Sequence, residues 1–269
     1  MVENNKPTYR LLHPTQPNSG MFAFIWQTIR GMYHFPDDKY YVHFGRESCF
    51  FDEEMYRTQE IDNVWDYYFE QPHTEVMPSK EDIISEVGLL DDPSSEFRDI
   101  YMPEELYEPR RAEYNSIIQK NVRLLPHVSE KIDDFYNNNF KDKKILGIHC
   151  RGTDHPDKLP MDYYVKHIKQ YVDDYDAIFI TSDEKYRVDY IKNIFGDKVI
   201  EYPTFRSISE LPLHYQNNHG WSRYYLGEEV IIEAYLLSKT NMLLCCTSSN
   251  VNYYIRALNL QLPFKVLNK

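Results

Sequence analysis

From residue 144 onward, short apolar runs alternate with segments whose apolar residues recur at helical spacing, and this constrains the fold of the 269-residue chain more than any other feature. The runs KILGIHC (144–150), DAIFIT (176–181), KVIEY (198–202) and NMLLCC (241–246) read as buried strands. Between them, 160–173 carries Met161, Tyr164, Val165, Ile168 and Val172 on one helical face, with Pro160 where a first-turn proline often sits. Further helices are expected over 183–195, capped by Gly196, over 227–239 and over 249–258. The order β-α-β-α-β-loop-α-β-α predicts an α/β fold: a parallel sheet with helices on both faces. Such sheets bind ligands at the carboxyl ends of their strands, here His149/Arg151, Thr181/Asp183, Glu201/Tyr202 and Cys246/Thr247.

Upstream the pattern is less regular. Residues 20–35 read as a mostly apolar helix after a Pro/Asn/Ser/Gly turn, and 39–45 as a strand. The aromatic stretch 61–69 is ambiguous between strand and short helix, and helices are expected over 79–88, 103–122 and 127–140. The change of character divides the chain into an N-terminal domain, 1–140, and a C-terminal domain, 141–269.

Composition excludes several classes. A net charge of −12 argues against a nucleic-acid partner and against docking on anionic lipid. The four cysteines, Cys49, Cys150, Cys245 and Cys246, have no zinc-site spacing and read as reduced core residues. No clustered carboxylate pair is placed to hold a metal; Asp91-Asp92 and Asp173-Asp174 lie in acidic, surface-like stretches. The N-terminal residues lack the apolar core of a signal peptide, no apolar run reaches the roughly 20 residues of a membrane span, and there is no N-x-S/T sequon. A cytoplasmic protein is the expectation.

Three polar groupings sit at the strand ends. His149-Cys150-Arg151-Gly152-Thr153-Asp154 ends an apolar strand in a permanently charged fork suited to phosphate oxygens, or in an Arg/Asp pair that pins a loop. Thr247-Ser248-Ser249-Asn250 opens the last helix, where hydroxyls and free backbone N–H groups make either a phosphate site or an ordinary cap. Glu233 interrupts a helix that is apolar almost all round. Its carboxylate can accept from a guanine edge or ribose hydroxyls, or sit on a solvated face. Thr181-Ser182-Asp183 caps the next helix, lines the site, or does both.

These residues carry a family resemblance. ILGIHCRGTD (145–154) resembles the H-x-R-x-T-D segment of α-1,6-fucosyltransferases, the core and rhizobial nodulation group. VIIEAYLLSKTNMLLCCTSSNVNYYI (230–255) resembles that family's helix, strand and serine-rich turn, and ITSDE (180–184) its T-D-D strand end. The protein O-fucosyltransferases share the general layout. The resemblance covers residues 144–258; upstream, only the Asn18-Ser19-Gly20 turn is similar to the family's opening Gly-rich loop, on the acceptor side.

The resemblance implies a GT-B fold, two Rossmann-like halves facing a cleft, and an inverting, metal-independent glycosyltransferase. Its donor substrate is GDP-fucose, with no further cofactor; the acceptor expected is a glycan hydroxyl, with a lipid-linked sugar or a protein side chain as alternatives. By position, Arg151 holds the β-phosphate, His149 and Glu233 contact guanosine, and Thr247, Ser248, Ser249 and Asn250 form the phosphate turn. Asp154 and Asp183 organise the pocket. The family's catalytic carboxylate has no clean match: Leu159 stands at the corresponding spacing, Asp157 is the nearest carboxylate, and Asp154 or His155 are alternatives. Two other readings stay open: a different nucleotide-sugar donor, and a non-catalytic binding protein with a degenerate transferase fold.

Overall fold

The computed structural model describes residues 8–13, 18–88, 104–153, 158–209, 211–216, 222–246 and 249–267. The chain forms two compact units, Met1–Leu125 with Ser222–Tyr224, and Pro126–Trp221 with Tyr225–Lys269.

The first unit is built on three parallel strands, β1 (Tyr9–His13), β2 (Tyr40–Val42) and β3 (Ile83–Gly88), in the order β2-β1-β3. Helix α1 (Met21–His34) runs between β1 and β2, and its residues Met21 to Met32 are all buried. Trp26 packs against Tyr107 and Tyr114, at ring separations of 5.9 and 5.0 Å. Helix α2 (Glu53–Gln59) is capped by Asp52, whose Oδ1 accepts from the Glu54 and Met55 N–H groups. The Asp52 Oδ2 atom accepts from Ser222 Oγ at 2.6 Å and from the Tyr224 N–H at 3.2 Å. The stretch 61–69 resolves into one 3-10 turn, Val64–Tyr67, capped by Asn63.

The helix expected over 79–88 is instead strand β3. Ile83, Ile84 and Val87 are β-branched, and the register Leu11↔Glu86, Leu12↔Val87 gives them a ladder on β1. Their partner strand, Tyr9–His13, has no period of its own in the sequence, so the pairing is visible only in the fold. The helix expected over 103–122 is broken into α3 (Glu104–Tyr107), a 3-10 turn at Glu108–Arg110 and α4 (Arg111–Asn121). Pro109 has no N–H for a continuous ladder.

The second unit opens with α5 (Pro126–Asn139) and continues through β4 (Ile145–His149), α6 (Met161–Ile168), β5 (Ala177–Thr181), α7 (Lys185–Phe195) and β6 (Val199–Ile200). It ends with α8 (Arg223–Ser238), which belongs to this unit from Tyr225 onward, β7 (Met242–Cys246), α9 (Asn250–Leu258) and β8 (Phe264–Leu267). The five strands are all parallel, in the order β6-β5-β4-β7-β8. This is the expected parallel α/β sheet, extended by β8, which is short and follows Pro263 directly. On one face Leu146, Ile148, Cys150, Ile178 and Ile180 join α6 and α7 in a single core. On the other, Phe179 meets Phe135 and Phe140 of the α5 region, at ring separations of 5.9 and 5.0 Å. Gly147 is required there, since a Cβ would lie 2.6 Å from Thr240 Oγ1. From β4 the chain winds outward to β5 and β6, then returns to the opposite side as β7 and β8. The carboxyl ends of β4 and β7 therefore flank the point where the winding reverses, which is where such sheets hold ligands.

Candidate functional site

His149 is the last residue of β4, buried, and in register with Thr181 on one side and Cys245 on the other. The chain leaves the sheet at Cys150, whose N–H donates to Thr181 O at 2.9 Å. The Arg151 backbone N–H lies within hydrogen-bonding reach of the Cys246 sulfur, so the exit of β4 and the end of β7 touch.

Asp183 organises the next three residues. Its Oδ1 accepts from the Gly152 N–H at 2.8 Å, its Oδ2 accepts from Thr153 Oγ1 at 2.6 Å, and Arg151 Nη1 stands 3.6 Å from Oδ2. Gly152 has no room for a side chain: a Cβ would meet the Glu184 carboxyl at 2.6 Å and Asp183 Oδ1 at 2.7 Å. Thr153 has a φ of 27°, a left-handed value uncommon for a β-branched residue, and its bond to Asp183 holds it there. The Arg151 side chain is 24% exposed, and its ion pair is too long to be a bidentate fork. The loop is locked by Asp183, and the guanidinium at its start is partly exposed.

The Ser182 hydroxyl, not Asp183, supports the start of α7, accepting from the Glu184 N–H at 3.2 Å. Glu184 pairs with Arg187 at 2.6 Å and Lys158 at 3.2 Å.

Glu233 lies on α8 and is buried, not on a solvated face. Its partner is Arg206, whose Nη2 donates to Glu233 Oε1 at 2.8 Å. Arg206 Nε also faces Glu201 Oε2 at 3.4 Å, and its Nη1 donates to the Ser182 carbonyl. Burial pushes the Glu233 carboxyl up to about 7, outweighing the Arg206 charge that favours ionisation. Arg206 was not singled out in the sequence, where it sits in an irregular polar loop. The usable signal was indirect: a carboxylate inside an apolar helix requires a buried cation.

At the other strand end, Ser249 is the N-cap of α9 and Asn250 its first residue, both buried. Among the described residues Ser249 makes no side-chain capping bond, and Asn250 Oδ1 is buried without a hydrogen-bond partner. Asn252 ties the helix back to β7, donating to Cys246 O at 2.6 Å. Thr247, Ser248, Asp154, His155 and Asp157 lie outside the described residues. Leu159 is core, and its carbonyl accepts from Arg187 at 3.1 Å.

Asn18, Ser19 and Gly20 belong to the first unit. Gly20 is the N-cap of α1 with ordinary extended backbone angles and open space where a Cβ would be, so no steric need for glycine exists there. Ser19 O accepts from Cys49 Sγ at 3.4 Å. Cys150, Cys245 and Cys246 are buried, Cys49 is partly so, and all four are free thiols. Among the described residues no group of three or more His, Cys, Asp or Glu could hold a metal ion, and no helix is long and apolar enough to cross a membrane.

No protein-family model matches the chain, and no curated protein matches its sequence. Solved structures do match its fold. NodZ α-1,6-fucosyltransferase from Bradyrhizobium, co-crystallised with GDP, superimposes with a TM-score of 0.57 at 15% identity, over 98% of this chain and 96% of that one. NodZ soaked with GDP-fucose gives 0.55 at 16% identity, over 94% and 93%. A variant of Arabidopsis thaliana FUT1 in complex with GDP gives 0.56 at 12% identity, over 98% and 71%. The α/β fold, with its parallel sheet flanked by helices, is thus the GT-B fold of the fucosyltransferases, as the motifs implied.

Proposed function

We propose that this protein is a glycosyltransferase that moves fucose from GDP-fucose to a hydroxyl of a glycan acceptor, with inversion and without a metal. The observation that carries the reading is the locked loop Arg151–Thr153 at the winding reversal of the sheet, in a fold shared along its length with fucosyltransferases crystallised with GDP or GDP-fucose.

In this reading the Arg151 guanidinium, a planar and permanently charged fork, holds the β-phosphate. The N-terminus of α9, with Thr247, Ser248, Ser249 and Asn250, supplies N–H, hydroxyl and amide groups and the positive end of a helix dipole to the same diphosphate. Glu233 accepts from guanine N–H or ribose O–H groups through lone pairs that Arg206 leaves open, and His149 lines the nucleoside. Asp183 positions Arg151. The acceptor oxygen forms its bond to the fucose anomeric carbon as the carbon–phosphate-oxygen bond breaks. The electron pair departs with GDP, and the acceptor proton passes to a base: Asp157, Asp154, or a residue of the N-terminal domain. Charge on the departing diphosphate is balanced by Arg151 and the α9 turn rather than by a metal ion. Asn18, Ser19 and Gly20 belong to the acceptor side. A cytoplasmic location fits this chemistry.

The engagement of Glu233 by Arg206 favours a second reading, a different base on the donor, because a guanine edge asks for both carboxylate oxygens. Thermal shift with GDP, UDP, ADP and CMP separates the two. Stabilisation by GDP alone is the expected result; equal stabilisation by UDP or ADP would remove the fucose donor from the proposal.

A further inference from the structure

We propose that a groove beside the Arg151 loop, between α7 and the turn at Ser207–Ser209, is a carbohydrate subsite that holds a pyranose ring of the acceptor. Its role as an acceptor subsite rests on the glycosyltransferase reading; its capacity to bind a sugar does not.

The groove encloses about 610 Å³ and is lined by Lys158, Tyr186, Tyr190, Asn193, Ser207 and Ile208, among others. Tyr186 is 63% exposed and Ile208 is 88% exposed, and both line the groove. Tyr186 stands on helix α7 and Ile208 on a hydrogen-bonded turn. Tyr186 projects from α7 one turn before Tyr190, with ring centroids 5.8 Å apart. The Tyr190 hydroxyl is pinned by Asp162 Oδ1 at 2.6 Å, which raises its pKa. The turn carrying Ile208 closes on itself: Ser207 Oγ lies 2.6 Å from Ser209 O and 2.8 Å from Leu211 O, and accepts from Gln216 Nε2 at 3.1 Å. The Ser207 hydroxyl is thus taken up by neighbouring groups, while Ile208 beside it faces outward.

The chemistry selects a neutral polyol. The charges along the groove are matched: Lys158 pairs with Glu184 at 3.2 Å and Lys185 with Asp189 at 2.9 Å. An anionic ligand would find no uncompensated cation among them, and an acyl chain would find the apolar surface interrupted. A pyranose offers a C–H face to a tyrosine ring and an apolar side chain, and hydroxyls to an amide, a carboxylate and a serine. The position is also informative. Lys185 N donates to Ser207 O at 2.9 Å and Ser207 N to Asp183 O at 2.8 Å. The groove therefore shares a wall with the residue that locks Arg151.

The test is saturation-transfer NMR on the full chain with lactose, maltose, cellobiose and N,N′-diacetylchitobiose, comparing wild type with Tyr186→Ala and Ile208→Ser. Both side chains are exposed, so both variants should fold, and thermal unfolding checks that they do. Transfer to the C–H protons of at least one disaccharide is expected in wild type, weakened about three- to tenfold in Tyr186→Ala. Silence from all four sugars, or transfer unchanged in both variants, would overturn the subsite. GDP thermal shift on the same samples keeps the two ideas apart. If GDP fails to stabilise wild type while Tyr186-dependent transfer persists, the donor reading falls and the groove stands.

Discussion

Arg206 and Glu233 are both buried and lie 2.8 Å apart, each supplying the charge that makes burial of the other tolerable. Truncating Arg206 to Met leaves a carboxylate in an apolar helix with no cation. The expected loss is about 3–5 kcal/mol of stability, read as a fall in Tm, and Glu233→Gln in the same chain should recover part of it.

The same pair sets a pH dependence. The Glu233 pKa is raised from its ordinary value of 4.5 to about 7, so between those two values the folded chain holds a proton that the unfolded chain has released. Stability should therefore fall as pH rises across that window, and Glu233→Gln should flatten the slope. GDP affinity should run the other way, because an ionised Glu233 is the better acceptor for guanosine. Denaturant melts and GDP titrations from pH 5 to 8 (about the range of interest) measure both.

Gly152→Ala is expected to abolish GDP stabilisation in thermal shift. Its Cβ would meet two carboxyl groups at 2.6–2.7 Å, and Asp183 cannot yield without releasing Gly152 and Thr153. Overpacking of this kind costs about 1–3 kcal/mol in stability, a smaller effect than the functional loss.

Arg151→Ala should lower GDP-fucose turnover about 10²- to 10³-fold, as removal of a preorganised group facing developing charge does elsewhere. Arg151→Lys should rescue little, since a point charge does not reproduce a planar fork. Normal turnover by Arg151→Ala would refute its assignment to the diphosphate.

Asp52→Ala should cost about 1–2 kcal/mol through loss of the α2 cap alone. Burial raises the Asp52 pKa, but the bonds from Ser222, Tyr224, Met55 and Arg223 outweigh it, so the net shift is downward. Its contribution is then present above the usual carboxylate range and is lost as pH falls through the depressed pKa. Acid denaturation of Asp52→Ala should accordingly be shallower at its acid end than that of wild type.

Much of the second unit was legible because parallel strands buried on both faces are written as unbroken apolar runs, and 145–149, 177–181 and 242–246 are such runs. Their polar ends marked His149, Arg151 and Asp183 for the same reason: charge follows apolar sequence abruptly where a strand leaves the sheet. The first unit was harder. Strands β1 and β3 are stabilised by each other across seventy residues of chain, and neither Tyr-Arg-Leu-Leu-His nor Ile-Ile-Ser-Glu-Val-Gly has a period that declares a strand alone. Arg206 was illegible in another way. Nothing near it in sequence requires an arginine; the requirement comes from Glu233, twenty-seven residues on.

The Asp52 cap has a consequence for how the chain is made. Ser222 and Tyr224 complete the hydrogen bonding of a carboxylate encoded 170 and 172 residues earlier. A nascent chain released through Leu125 would hold every strand of the first sheet and still lack the groups that Asp52 Oδ2 accepts from. The first unit thus finishes late, after most of the second has been synthesised, and a protease cut between Leu125 and Pro126 would part the first unit from its Ser222–Tyr224 piece while leaving every residue of the second unit on one fragment.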